Sequence, residues 1–579
     1  MGVDFGTTST TVYYNASVRE PPNFLKLLTE YRWKEGNNDE PEIVGDKLKT
    51  SQEILCDSGD QAFLDKYFID EICLFQKGYI TTFEELNNTK TDADATLFDT
   101  GRIFWHNHKN FKDVNAVKGR REHLHSGIKW EDDKKWAARY LNQLLTQISY
   151  RAIEEGVSKI YWFFSYPTAL SSDDKTAFSD RLKTIIEDLK EETGLEHKFE
   201  GEDSLLTESV AAALFFRKNQ DNARMQSTFL CLDIGGGTSD ISIWLRQDLK
   251  FQTSVKFASR DMFVTPLQKL LERPSVFDTV CTSDPSDGIH TMLSYGNKNP
   301  GKQNIPFLIE TVLVEYFINF KNRLNELQAE DKQAFRHFIY LVYIAYAGLI
   351  FYLTNIIAAL LKSDSEAERI DREIHEIVLG LSGKGSKLTD WIKNYCRPIY
   401  KIAKKRIKEK TGCEITFEPK FQADTAKTET AYGLICDLNE NGRQNTPSDK
   451  IKPKIFMGCS VLVKNDQEEK KLGGNDFIQS YDSFLKKPEK LNIQFDDQSL
   501  SDFDEFIEFL DHIAEEADNE VEAVPRDWYN ENDKKKLLSN MSEYFNNKIL
   551  KEEHRFDPPF IVMLEVFLMK YSEYLDEKK

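Results

Sequence analysis

The most informative segment covers residues 231–242 and reads Cys231-Leu232-Asp233-Ile234-Gly235-Gly236-Gly237-Thr238-Ser239-Asp240-Ile241-Ser242. Its pattern predicts an apolar strand that ends in an acid, a glycine turn, and a second strand that opens with hydroxyl side chains. Three adjacent glycines are costly to order, and a turn that only reverses the chain does not need them. Because glycines let backbone N–H groups come close to oxygen atoms, we interpret this turn as a phosphate-binding loop.

A second stretch of the same design stands near the first residue and reads Asp4-Phe5-Gly6-Thr7-Thr8-Ser9-Thr10. Gly6 removes a Cβ from the turn, and the hydroxyls of Thr7 and Thr8 can donate further hydrogen bonds. Taken alone, this stretch is also compatible with an ordinary hairpin turn. Two such turns in one chain favour the phosphate-binding interpretation of both.

The composition limits the class of protein. With 579 residues and 40% hydrophobic content, the chain has enough apolar material for at least two cores. Its formal net charge of -20 argues against nucleic acid as a partner, because nucleic-acid affinity comes mainly from Lys and Arg. Eight scattered cysteines without a C-x-x-C pair predict neither a zinc site nor a disulfide framework. Since residues 1–11 also lack a secretory pattern, we expect a cytoplasmic protein.

Hydrophobic periodicity predicts alternating helices and strands. Helical spacing covers residues 136–155 and 173–193, and short runs typical of buried strands cover residues 160–166 and 229–233. This alternation indicates sheets covered by helices. Residues 15–130 are polar and rich in turn residues, and they predict an insertion.

One segment, residues 337–361, contains 25 residues without Asp, Glu, Lys or Arg. It is long enough to span a bilayer, although several tyrosines lie in its middle. A helix that is apolar all round is either central in a protein or in a membrane. The sequence therefore leaves two alternatives open: a buried helix between two lobes, or a helix that contacts a membrane or a partner.

The paired turns resemble the two phosphate loops of the actin, heat-shock chaperone and sugar-kinase ATPase superfamily. The stretch Asp233 to Ser242 is most similar to the chaperone-like and bacterial actin-like branches. The resemblance extends to three further elements in the expected order. These are a first crossing helix at residues 207–213, a glycine turn after a strand at residues 377–384, and a second crossing helix at residues 428–433.

The resemblance implies an α/β fold, the two-lobed actin-like ATPase fold with duplicated ribonuclease H-like domains. We expect a first lobe over residues 1–215 with an insertion around residues 15–130, and a second lobe over residues 216–433. Residues 434–579 would form a C-terminal extension with one strand followed by helices.

The resemblance also implies a site for ATP and Mg²⁺. Asp4 and Asp233 would hold Mg²⁺ through its water molecules, and Glu208 would orient the attacking water. Asp240, on the same strand face as Thr238, would join the water network. The remaining contacts would come from loop residues: Gly6, Thr7, Thr8, Gly235, Gly236, Gly237 and Thr238 around the phosphates, and Gly380, Ser382, Gly383 and Lys384 near the adenosine. Lys49 is a candidate for the cation on the leaving phosphates.

Three classes of function remain open at this point. The chain could be a chaperone-like or regulatory ATPase whose lobe closure controls a protein partner, an actin-like filament protein, or a small-molecule kinase. The first is our prediction and the second is its alternative. The acidic segment over residues 502–520 has nine acids and no Lys or Arg, so it could pack on its own lobe or dock a basic partner.

Overall fold

The computed structural model describes residues 1–6, 9–14, 135–154, 156–168, 172–218, 228–245, 248–273, 329–362, 376–421, 428–436, 497–517 and 558–577, with short pieces between them. The fold is mixed α/β, as predicted, with two main sheets. The helices are α1 (Lys135–Glu154), α2 (Ser172–Thr193), α3 (Glu208–Lys218), α4 (Thr265–Leu271), α5 (Ala329–Lys362), α6 (Lys393–Thr411), α7 (Glu429–Gly433), α8 (Asp497–Glu516) and α9 (Pro559–Glu577).

The first sheet is built around the short strand β1 (Gly2–Phe5). On one side β1 pairs antiparallel with β2 (Ser9–Tyr14), which pairs antiparallel with β3 (Asn23–Phe24). On the other side β1 runs parallel to β4 (Phe163–Tyr166), which runs parallel to β5 (Leu205–Thr207). The strand order is therefore β5-β4-β1-β2-β3, and the short strand Gln76–Lys77 joins this sheet as a sixth strand by pairing with β2.

The second sheet repeats this arrangement around β6 (Thr228–Ile234), whose seven residues are all buried. Here β6 pairs antiparallel with β7 (Ser239–Leu245), and β7 with β8 (Asp248–Val255). On its other side β6 runs parallel to β9 (Glu376–Ser382), and β9 to β10 (Thr416–Phe421). The order and the strand directions match those of the first sheet, so the chain contains one strand arrangement twice.

Two short helices connect the copies reciprocally. Helix α3 follows the last strand of the first sheet and packs on strands of the second, whereas α7 follows the second sheet and packs on β1 and β2. Close contact requires small residues: a Cβ added at Gly433 would lie 1.7 Å from the carbonyl oxygen of Ala211. The helices predicted at residues 207–213 and 428–433 are both present.

The apolar segment forms most of α5, which is buried inside the protein. By length and composition Asp331–Lys362 could cross a membrane, but its most apolar window is completely buried. It shares one core with β6, α6, α8 and α9. The buried alternative describes this structure, with one correction: α5 lies in the core of the second sheet and not between the two sheets.

The predicted C-terminal extension, residues 434–579, contains more short strands than the one that its sequence pattern indicates. Short strands lie at Leu438–Asn439, Gly442–Arg443, Ile455–Phe456, Val461–Lys464, Glu469–Leu472, Phe477–Ile478 and Asn492–Gln494. Helices α8 and α9 are also not a separate unit, because Phe503 and Phe560 belong to the core of the second sheet. The sequence shows the amphipathic helices but not the surface that their apolar faces cover.

Other short strands belong mainly to the predicted insertion. They lie at Arg32–Trp33, Glu42–Val44, Lys47–Lys49, Phe68–Ile69, Gln76–Lys77, Tyr79–Phe83, Arg102–Ile103 and Glu122–Ser126, and Lys159–Tyr161 pairs with Glu196–Lys198. Short 3₁₀ helices cover Gly201–Ser204 and Lys384–Asp390, and a π-helical turn covers Arg260–Val264.

Candidate functional site

The two predicted acids occupy equivalent places in the two sheets. Asp4 and Asp233 lie near the carboxyl ends of the central strands β1 and β6, and both are buried. Each has a serine on the neighbouring parallel strand. Ser165 donates a hydrogen bond from Oγ to Asp4 Oδ1 at 2.6 Å, and Ser382 lies opposite Asp233 in the strand register. The repeat therefore extends from the strand order to the side chains of the site.

The glycine turn after β6 is tight and supported from behind. The N–H of Gly235 donates to the carbonyl of Thr238 at 2.8 Å. The N–H groups of Ser259 and Arg260 donate to the carbonyls of Gly235 and Gly236. Gly235, Gly236 and Gly237 are partly exposed, whereas Thr238 is buried. The turn is thus fixed in position while its glycines remain accessible.

In the N-terminal turn, Gly6 donates its N–H to the Asp4 carbonyl at 3.2 Å, and Thr7 and Thr8 lie outside the described residues.

The late glycine turn packs directly on Asp233. Gly383 has a φ of +79°, and a Cβ there would lie 2.3 Å from Asp233 Oδ1. A side chain at this position would therefore collide with the predicted metal-binding acid as well as strain the backbone. Ser382 ends β9, and Lys384 begins the following turn of helix.

Gly380 has a different explanation from the one the sequence suggested. It lies inside β9, opposite Cys231, and its α-carbon faces the rings of Phe216 and Phe229. An added Cβ would come within 2.7 Å of the Phe229 ring. Packing against these rings requires a glycine at position 380, and Gly380 lies in the core and not in the turn.

Asp240 lies among other acids of the site. It is buried, its Oδ1 accepts a hydrogen bond from the Thr168 N–H at 3.0 Å, and its Oδ2 has no hydrogen-bond partner among the described residues. Burial is the largest cause and the nearby charges of Glu208 and Asp233 act in the same direction, and together they raise the pKa of Asp240 to about 8. Since Thr168 follows β4, this contact also joins the two halves of the chain.

The structure places a cation, Lys129, that sequence reasoning missed. Its Nζ donates a hydrogen bond to Glu208 Oε1, and it lies 5.9 Å from the centroid of the Phe5 ring. The lysine side chain is only 8% exposed. Lys49, the candidate from the sequence, ends the strand Lys47–Lys49, and its side chain lies outside the described residues. No local pattern around residue 129 gives a signal, because the pairing depends on long-range packing.

A fifth acid, Glu429, was also missed. It is fully buried as the first residue of α7, just as Glu208 is the first residue of α3. Ser382 Oγ lies 3.5 Å from Glu429 Oε2, and the neighbouring Thr430 donates to Asp233 Oδ2 at 3.1 Å. The equivalence of the two helices could have pointed to Glu429 if the duplication had been recognised.

Among the residues that the structure describes, no group of three His, Cys, Asp or Glu side chains is arranged to ligate a metal directly. The chain matches no protein-family model and no curated protein. What the site can do chemically therefore follows from its own residues.

Proposed function

We propose that this chain is an ATP-binding, Mg²⁺-dependent ATPase with a two-lobed actin-like fold, and that closure of its lobes controls binding to a protein partner. One observation carries the proposal. The chain contains the same five-strand arrangement twice, each copy has a strand–acid–glycine turn at its centre, and the two copies exchange their short helices. This duplication supports the proposed fold, because the sequence resemblance implies duplicated domains.

The residues fit a nucleotide and a hydrated cation. The buried Oδ2 of Asp240 lacks a partner among the described residues, and the carboxylates of Glu208, Asp233 and Glu429 outweigh the positive charge of Lys129. An excess of buried carboxylates is stabilised by a cation, and a metal that keeps its waters needs no direct protein ligand set. The accessible glycine turn at residues 235–237 can supply backbone N–H groups to phosphate oxygens.

Each side chain then has a separate role. Asp4 and Asp233 would hold Mg²⁺ through its waters, and Mg²⁺ when bound would neutralise phosphate charge. Glu208 would orient the attacking water. Lys129 holds the Glu208 carboxylate in place through a hydrogen bond, and it would offer positive charge to the phosphates. Asp240 would hold a proton at neutral pH in the absence of cation and would become ionised as positive charge enters the site.

The test uses the purified full chain. We expect it to bind a fluorescent ATP analogue and to release phosphate only with Mg²⁺, and Asp233→Ala should lower turnover by about a hundredfold or more. The control is Asp188→Ala, which removes an exposed acid from α2 and should leave turnover unchanged.

Two outcomes would contradict the proposal: wild-type protein that neither binds nor hydrolyses ATP with Mg²⁺, or equal loss of turnover in both variants. Light scattering and sedimentation of the same samples distinguish the regulatory ATPase from the alternative, an actin-like filament protein. If the protein sediments only with ATP, the filament function is favoured, with the same nucleotide site.

A further inference from the structure

Helix α6 concentrates positive charge in an acidic molecule. It carries eight Lys or Arg side chains and one Glu, whereas the chain as a whole has a formal net charge of -20. All eight basic side chains are exposed or partly exposed. Two of them, Arg406 and Lys410, bind Glu505. We call the other six the basic stripe: Lys393, Arg397, Lys401, Lys404, Lys405 and Lys408.

The stripe follows one side of the helix. Its members repeat every four residues, the spacing of neighbours on a helix surface, and span about 22 Å. Ile399, Ile402 and Ile407 lie on the opposite side and are buried in the core of the second sheet. The apolar side therefore anchors α6, and the basic side faces solvent.

Acids beside the stripe neutralise only part of its charge. Lys408 and Lys404 share Glu414 at 3.5 and 4.0 Å, and Lys405 lies 3.9 Å from Glu409. The side chains of Lys405 and Lys408 remain 59% and 55% exposed. Ion pairs this exposed contribute little to stability, so an incoming carboxylate can replace them at small cost.

One edge of α6 already binds an acidic segment. The acidic helix α8 docks there, and Glu505 accepts hydrogen bonds from Lys410 at 2.9 Å and from Arg406. Lys401 pairs with Glu516 at the end of α8. Within this chain, α6 thus recognises carboxylates on a neighbouring amphipathic segment, and the stripe offers the same chemistry on its free side.

We propose that the basic stripe is a docking surface for an acidic segment of a partner protein. A short acidic segment can lie along the stripe alone, whereas nucleic acid or an anionic bilayer extends beyond it and meets the acidic remainder of the surface. The partner is defined by its acidic chemistry. Only its role in regulation rests on the proposed ATPase function. Docking itself requires no nucleotide.

The experiment measures the fluorescence anisotropy of a labelled polyglutamate peptide of about seven residues, whose extended length matches the stripe, with the full chain and without nucleotide. The stripe variant carries Lys393→Glu, Arg397→Glu and Lys405→Glu, which avoids the lysines that contact α8. The control carries Lys183→Glu, Lys190→Glu and Lys332→Glu, three exposed lysines on α2 and α5 with the same change in net charge.

We expect the stripe variant to bind about tenfold more weakly than wild type, the control to stay within about twofold, and added salt to weaken wild-type binding. Equal weakening in both variants, or no binding by wild type, would overturn the proposal. So would tighter binding of an oligonucleotide of equal charge or of phosphatidylserine vesicles, or a wild-type dimer that the stripe variant loses. If the stripe variant unfolds, Lys393→Gln with Arg397→Gln serves instead. Because no ATP is present, failure here is distinct from failure of the ATPase proposal.

Discussion

Asp240 combines burial with negative neighbours. The carboxyl is 1% exposed, and both Glu208 and Asp233 oppose its ionisation. A group whose pKa is raised on folding stabilises the folded state fully below its unfolded pKa, and this stabilisation is lost as pH rises through the folded pKa of about 8. The close packing of these acids therefore lowers the free energy of unfolding, and this cost is largest at alkaline pH.

Replacement of Asp240 by Asn tests this linkage. In EDTA, the melting temperature of wild type should fall as pH rises from about 4 to about 8, and that of Asp240→Asn should fall less, because the amide cannot ionise. The difference between the two proteins should grow over this range and stay constant above about pH 8. Thermal melts across this range provide the measurement, with Asp188→Asn as the exposed control. A difference that does not change with pH would contradict the raised pKa.

At the scale of elements, the contact between the two exchanged helices depends on glycine. The carbonyl of Ala211 on α3 occupies the place that a Cβ at Gly433 on α7 would need. The helices can approach only because residue 433 has no side chain. This contact couples the two copies of the strand arrangement.

We expect Gly433→Ala to destabilise the protein by about 2 kcal/mol or more, because either helix must shift to relieve the overlap. Gly194→Ala is the control: Gly194 has a φ of +69°, and a Cβ there meets nothing within 4 Å. It should cost about 1 kcal/mol from backbone strain alone. Urea unfolding compares the two variants. A smaller loss of unfolding free energy for Gly433→Ala than for Gly194→Ala would show that the close contact between α3 and α7 does not require glycine.

At the scale of the whole molecule, α5 is the element around which the second core is built. Phe351 on α5 contacts Phe506 of α8 and Phe560 of α9, with ring centroids 5.3 and 5.1 Å apart. Leu564 of α9 fills the space above Gly348 of α5. The last helices of the chain thus cover a surface that is apolar enough for a membrane.

The full chain should stay in the supernatant after ultracentrifugation of a detergent-free lysate. Deletion of residues 558–579 should move it to the pellet, because a large apolar face of α5 loses its cover. Deletion of residues 578–579, beyond the end of α9, is the control and should have no effect. Full-length protein that pellets with membranes and is released only by detergent would contradict the buried assignment.

Local chemistry explains which parts of the site the sequence predicted. The turns at Gly6 and at residues 235–237 and the short helices at residues 207–213 and 428–433 follow from glycines, acids and apolar spacing within a few residues. The amphipathic pattern of α8 likewise predicted a helix with a buried face. Each of these features is encoded by neighbours in the chain.

The α/β class, the glycine turns and the apolar character of α5 can be predicted from the amino-acid sequence, because each depends on short-range patterns. Four features became visible only in the three-dimensional structure: the repeat of strand order, the pairing of Lys129 with Glu208, the equivalence of Glu208 and Glu429, and the raised pKa of Asp240. These depend on residues far apart in the chain. Burial and electrostatic coupling arise only after packing brings such residues together, so no local sequence pattern predicts these features.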